Sequence, residues 1–262
     1  MKEIVKKIHY VWLGGKPLPP SVKYCIDSWR KKCPSYEIIQ WDETNFAVDK
    51  YRWVREALSR KQYAFAADVI RCLVLQKYGG LYLDTDVELM KSIDDSINND
   101  FVVSFLNNHF KTGVMAHVDE NGIDKLSGKQ ISGFGINTGF IYSAPNHPVI
   151  NRLLSDVYGM GNRCFVNEDG TFNKLIIDGE LMMVLHDSFG VKFIDTIQKT
   201  GDFTVYDSTV IASPITQNEN SIAIHWYDQT WVENTTLLSR LRKTIKSKFP
   251  KMTRKLYSLI GK

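Results

Sequence analysis

Long apolar runs are missing from this 262-residue chain. No stretch approaches the roughly 18–20 uninterrupted apolar residues that cross a bilayer, so no membrane-spanning helix is expected. The N-terminus, MKEIVKKIHYVWLGG, is alternating and interrupted by Lys and His, and does not read as a secretion signal. Cysteine is scarce: Cys25, Cys33, Cys72 and Cys164 form no CxxC pair and sit in apolar or helical surroundings. They read as buried thiols of a reducing, cytoplasmic compartment. The sequon Asn234-Thr235-Thr236 would matter only in a secretory lumen. No segment repeats with a period of about 20–50 residues, which excludes solenoids and arrays. No Pro/Gly/Ser-rich linker interrupts the first 230 residues, so the body reads as one domain.

A composition of 44% hydrophobic and 24% charged residues supports a large folded core and excludes disorder as the main description. The formal charge of +4 is uneven. Nine of the 33 Lys and Arg residues follow position 236, where no acid occurs, so residues 1–236 hold 24 basic and 29 acidic residues. That body is acidic and is not expected to bind nucleic acid.

Alternation through Ile8, Tyr10 and Trp12 predicts a strand ending at Gly14-Gly15. Pro19-Pro20-Ser21 opens a helix through Trp29, and Tyr36–Trp41 reads as a strand. Gln62–Tyr78 is the longest helical pattern, with Ala64, Ala67, Ile70, Val74 and Leu75 on one side and Gly79-Gly80 closing it. Further strands are expected at Leu81–Asp86, Phe101–Leu106, Ile136–Ser143 and Ser221–Ile224, and helices at Pro148–Tyr158 and Glu180–Phe189. Interleaved strands and helices predict an α/β fold with a mostly parallel sheet, ligands meeting the carboxyl ends of its strands.

The most informative segment runs from Asp68 and Arg71 through Gly79-Gly80-Leu-Tyr-Leu-Asp84-Thr-Asp86. Strand alternation would aim Asp84 and Asp86 the same way. Two adjacent carboxylates are costly without a cation between them, and an oxygen-rich site suits Mg²⁺ or Mn²⁺ with positions left for phosphate oxygens. Asp68 and Arg71, three apart on one helix face, can pair with each other or share a ligand.

This run resembles the DXD-containing glycosyltransferases of family 32, which include capsular polysaccharide and Och1-like sugar transferases, and it is similar to the catalytic domain of the large clostridial glucosylating toxins. Ile8-His9-Tyr10-Val11-Trp12-Leu13-Gly14-Gly15 resembles the family's opening strand, and Ile224-His225-Trp226 through Thr230-Trp231 its closing element. Thr230 stands where the family usually has Ser, and Ile177-Asp178-Gly179-Glu180 where many members have Gly-Pro.

The resemblance implies a GT-A-type, Rossmann-like nucleotide-sugar-binding domain over residues 1–236 and a retaining hexosyltransferase. Its donor would be a UDP-sugar, and its acceptor a lipid-linked saccharide in capsule or surface polysaccharide synthesis. Asp86 would hold Mn²⁺ or Mg²⁺ directly, with Asp84 and His225 completing the set. Trp12 would stack on the base, and Asp68 and Arg71 would hold sugar hydroxyls and phosphate. Asn137 would meet the donor sugar, Thr230 and Trp231 would close over the diphosphate, and Asp178 and Glu180 would face the acceptor. The competing assignment is a haloacid-dehalogenase-type phosphatase using the same DxD, although that superfamily carries the motif on its first strand.

Residues 237–262 form a basic tail with Leu238, Leu241, Ile245, Phe249, Met252, Leu256 and Leu259 at helical spacings and Pro250 starting a second helix. Such a helix either lies on an anionic membrane, each basic residue contributing about 1 kcal/mol near the lipid, or packs its stripe on the body. Membrane contact would place the enzyme on the cytoplasmic face of the inner membrane.

Overall fold

A computed structural model describes residues 4–106, 117–131, 135–228, 248–250, 252–253 and 256. A seven-stranded sheet lies between two layers of side chains, with a three-stranded sheet beside it.

Strand β1 (Lys7–Val11) pairs in parallel with β2 (Glu37–Trp41) and with β3 (Gly80–Leu83), so all three carboxyl ends reach one edge. Helix α1 (Pro20–Lys32) joins β1 to β2. Its first turn tolerates Pro20, whose missing N–H would have had no partner there, and Arg30, Lys31 and Lys32 face the negative end of its dipole. Trp29 on α1 is fully buried, packs edge-on against Tyr10 and donates its indole N–H to Val87 O at 2.7 Å. Burial of a side chain this large favours folding by about 1.5–3 kcal/mol.

Helices α2 (Arg52–Ser59) and α3 (Tyr63–Tyr78) follow. The expected single apolar side of α3 is replaced by near-continuous burial from Val69 to Leu75, because α3 is covered by α2 and by helix α4 (Pro148–Arg152) as well as by the sheet. Its end is abrupt. Gly79 takes a left-handed φ of 63° and donates to Leu75 O, and a Cβ there would meet Pro145 Cδ at 2.5 Å.

Two expectations are corrected. β3 ends at Leu83, and Asp84-Thr85-Asp86 is a turn closed by Val87 N donating to Asp84 O at 3.0 Å. The chain thereby leaves the large sheet and enters β4 (Val87–Leu89) of the small one. The large sheet is also mixed rather than mostly parallel. β6 (Phe140–Ser143) runs antiparallel between β3 and β5 (Phe101–Ser104), and β7 (Gln198–Thr200) antiparallel to β8 (Phe203–Tyr206) at the far edge. α4 continues as a π-helical turn at Leu153–Val157 and is followed by α5 (Ile177–Phe189). The small sheet is completed by β9 (Ile211–Ala212) and β10 (Ala223–His225).

Among the described residues no helix is long and apolar enough to cross a membrane, and all four cysteines are free, three of them buried.

Candidate active site at the junction of the two sheets

Backbone pairing brings the site together from distant parts of the chain. β10 pairs antiparallel with β4, so that His225 lies opposite Val87, and the next residue, Trp226, donates its N–H to Asp86 O at 3.0 Å. The N–H of Asp228 then donates to Asp86 Oδ2 at 2.7 Å, and Asp86 Oδ1 lies 3.3 Å from His225 Nε2. One ligand atom each from Asp84, Asp86 and His225 lies within 4.8 Å of the others.

The orientation of His225 follows from its other nitrogen. Gly139 donates its backbone N–H to Asn137 Oδ1 at 3.2 Å, so that oxygen is an acceptor, and His225 Nδ1 at 2.9 Å from it is the donor. Neutral His225 therefore carries its proton on Nδ1 and presents the Nε2 lone pair to the acidic turn. Gly139 is needed there for space: a Cβ would lie 2.7 Å from His225 Cε1 and 3.1 Å from Asp84 Oδ2. Tyr227 closes the other face of the imidazole, its ring stacked at 4.0 Å between centroids and its backbone held at a left-handed φ of 50°. The Tyr227 hydroxyl is buried without a hydrogen-bond partner among the described residues, and burial together with Asp178, Asp86 and Asp84 pushes its ionisation upward.

A second layer is organised by Arg71, which α3 delivers almost fully buried. Its guanidinium pairs with Asp68 Oδ1 at 2.8 Å and Asp84 Oδ1 at 3.3 Å, donates to Thr138 O at 2.8 Å and to Thr138 Oγ1 at 3.1 Å, and lies over the Tyr82 ring. Tyr82 donates its hydroxyl to Asp84 Oδ1 at 3.0 Å. Thr138 in turn donates to Asp178 Oδ1 in the first turn of α5.

Four carboxylates thus surround one arginine and one histidine. Burial raises Asp68 to about 7, Arg71 opposing that rise while Asp84 and Asp178 add to it. Asp178 is likewise raised, chiefly by burial. For His225, burial favours the neutral ring, but Asp86, Asp84 and Asp178 together outweigh it and raise its pKa.

The donor set fits a divalent cation. Two carboxylates and one imidazole lone pair converge, and the surrounding negative charge exceeds what Arg71 neutralises. Asn137 fixes the ring orientation as an outer hydrogen-bond partner of a metal-binding histidine does.

Other expected residues are placed as follows. Trp12 directly follows β1 at the edge where Asp84 follows β3; its backbone N–H donates to Trp41 O, and its indole N–H to Lys16 O at 2.6 Å. Asn137, expected to meet the donor sugar, aims its oxygen at His225 and Gly139, and its Nδ2 is buried with no hydrogen-bond partner among the described residues. Glu180 is half-buried, and burial raises its pKa against the opposing charge of Arg163. Thr230 and Trp231 lie outside the described residues. Tyr82, Thr138 and Tyr227 were not anticipated. Alternation along β3 would have placed Tyr82 beside Asp84, whereas no local signal marks Thr138 or Tyr227.

Residues 19–103 match the family model described as the glycosyltransferase sugar-binding region containing a DXD motif. Among curated proteins, inositol phosphoceramide mannosyltransferase 3 of Schizosaccharomyces pombe is 33% identical over 99 residues, covering 35% of this chain and 26% of the relative. The uncharacterized glycosyltransferase L373 of Acanthamoeba polyphaga mimivirus is 24% identical over 177 residues, covering 65% of this chain and 62% of that protein. The chain thus spans less than two thirds of either relative. Among solved structures, the PaToxG glycosyltransferase aligns with a TM-score of 0.48 at 17% identity, covering 71% of this chain and 70% of the other.

Proposed function

We propose, from the DXD-type glycosyltransferase region that this chain carries, that it is a divalent-metal-dependent, retaining transferase on a GT-A-type scaffold, moving a hexose from a UDP-sugar to a lipid-linked saccharide in capsule or surface polysaccharide synthesis. The observation that carries it is the meeting of Asp84, Asp86 and His225 at the carboxyl edge of β3, under an arginine already engaged by carboxylates.

Asp86 and His225 would hold the metal, with Asp84 completing the set. The nitrogen ligand favours Mn²⁺ over Mg²⁺. When bound, the ion supplies Lewis-acid neutralisation of the diphosphate leaving group. Arg71 fixes the Asp84 carboxylate and braces Thr138, which links α3 to Asp178 of α5. Asp68 faces the donor sugar as an acceptor for its hydroxyls. Trp12 offers an indole face to the base, its N–H being already satisfied. Thr230 and Trp231 would close over the diphosphate and exclude water.

Transfer then needs no covalent enzyme intermediate. The acceptor hydroxyl oxygen bonds to the anomeric carbon on the face from which the phosphate departs, the bond from that carbon to the phosphate oxygen breaks, and the hydroxyl proton passes to the departing phosphate. UDP is favoured over GDP because the Trp12 and His225 blocks resemble bacterial UDP-sugar users. A phosphatase is not favoured: its nucleophilic aspartate belongs on a first strand, whereas Asp84 follows the third.

Incubation with a panel of nucleotide sugars and Mn²⁺ should release UDP from one UDP-hexose. Release should be abolished by EDTA and reduced at least about a hundredfold in Asp86→Ala. Phosphate release from simple phosphomonoesters, with no turnover of any nucleotide sugar, would sink the proposal.

A further inference from the structure

The sequence leaves open whether the apolar stripe of the basic tail covers the body or faces outward. The described tail residues separate two faces. Pro250 and Thr253 meet Tyr24 and Cys25 of α1 and Trp226 and Asp228 beyond β10, around a void of about 10 Å³. Thr253 is 8% exposed, and it donates both its N–H and its hydroxyl to Phe249 O, so the seated segment is helical. Phe249, Met252 and Leu256, spaced three and four apart, are 55%, 49% and 52% exposed. The seat uses Pro250 and Thr253, and Phe249, Met252 and Leu256, the described residues of the stripe, are left outside it.

We infer that Phe249, Met252 and Leu256 form a membrane-docking row whose occupant is an anionic lipid bilayer. Charge chooses this occupant. Lys248 is exposed at the start of the row, and the tail from 237 carries nine basic residues and no acidic one. A helix with an apolar row and a cationic remainder lies in the headgroup region of anionic lipid, its apolar side chains reaching the acyl boundary. A neutral protein groove would leave that charge without a counterpart. The seat also fixes where the bilayer lies relative to the chemistry. Trp226 and Asp228, against which the helix rests, donate the two backbone N–H groups that hold Asp86. Docking therefore brings the proposed metal site to the membrane surface, where a lipid-linked acceptor is presented; that consequence rests on the proposed transferase activity, whereas the docking row does not.

The test uses the full chain and needs no nucleotide sugar. Wild type should co-sediment with vesicles of phosphatidylcholine containing about 30% phosphatidylglycerol, and weakly with phosphatidylcholine alone. The triple variant Phe249→Ser, Met252→Ser, Leu256→Ser should bind the anionic vesicles about tenfold less or worse, with an unchanged thermal midpoint because the three side chains leave the seat intact. Phe249→Trp should show emission quenched by brominated lipid. Equal binding by the triple variant, absence of wild-type binding to anionic vesicles, or no quenching in Phe249→Trp beyond that of the native tryptophans in wild type would each overturn the docking row while leaving transfer to a soluble acceptor untouched.

Discussion

Gly139 can only donate through its amide, and that single fact propagates through Asn137 Oδ1 to His225 Nδ1 and leaves Nε2 as the lone-pair donor. Loss of the amide side chain would free the ring to rotate or change tautomer without touching Asp84 or Asp86. Asn137→Ala is therefore expected to weaken Mn²⁺ binding about 10–100-fold, the usual cost of losing an outer partner of a metal-binding histidine. Titration calorimetry with Mn²⁺ alone reads this directly. Unchanged affinity would mean that the Asn137 contact does not set the ring. The sequence marks Asn137 only as a polar residue near glycines; its contact with His225 is reached through the pairing of β10 with β4, and no spacing rule encodes it. Asp68 and Arg71 were legible because three-residue spacing on a helix is local geometry, and their ion pair forms at 2.8 Å.

At the scale of elements, legibility follows the range of the interactions. The apolar periods and glycine stops of β1, α1, β2 and α3 place each within a few residues of its observed bounds. The turn at Asp84-Thr85-Asp86 is hidden because Asp84 and Asp86, two apart, also fit the alternation of a continuing strand; the change of sheet that ends β3 is set by the pairing of β4 with β10. Strands β7, β8 and β9 span only two to four residues each, which leaves little period to read. His9 is the polar joint of the well-read part. It is fully buried in β1, with Nδ1 accepting from Trp41 Nε1 of β2 at 3.1 Å and Nε2 donating to Gly79 O beyond α3 at 2.8 Å. Burial lowers its pKa, aided by Lys7, while the Gly79 contact and Glu37 oppose. The unfolded state, with a histidine pKa near 6.5, then binds the proton first as pH falls. The His9 contribution to stability is complete above that value and is lost below it, at up to about 1.4 kcal/mol per pH unit. His9→Gln should be less stable than wild type near pH 8, and its deficit should narrow toward about pH 5. Denaturant midpoints across that range measure the difference, and a constant deficit would show that His9 accepts its proton in the folded state.

For the whole molecule, the acidic cluster is a load that a cation relieves. Without metal, Asp68, Asp84, Asp86 and Asp178 share Arg71 and His225, and burial already lifts Asp68 to about 7. A carboxyl raised in the folded state stabilises below its unfolded pKa of about 3.9 and loses that contribution as pH rises through about 7. The metal-free protein should therefore lose stability from this group toward neutral pH, in the direction opposite to the effect of His9, so that metal binding matters most where the carboxyls are ionised. A cation bound only by the folded state adds about 2.7 kcal/mol at a hundredfold excess over its dissociation constant. For about 150–250 residues this corresponds to a rise of roughly 5–11 °C in thermal midpoint. Mn²⁺ should produce such a rise over EDTA near pH 7.5, a smaller one near pH 5, and none in Asp86→Ala. Asp68→Asn should raise the midpoint in EDTA at neutral pH by removing a buried charge while leaving the Mn²⁺ increment in place. Equal midpoints in Mn²⁺ and EDTA at every pH would show that the cluster is neutralised by protons alone, and the convergence of Asp84, Asp86 and His225 would then have no cation to account for it.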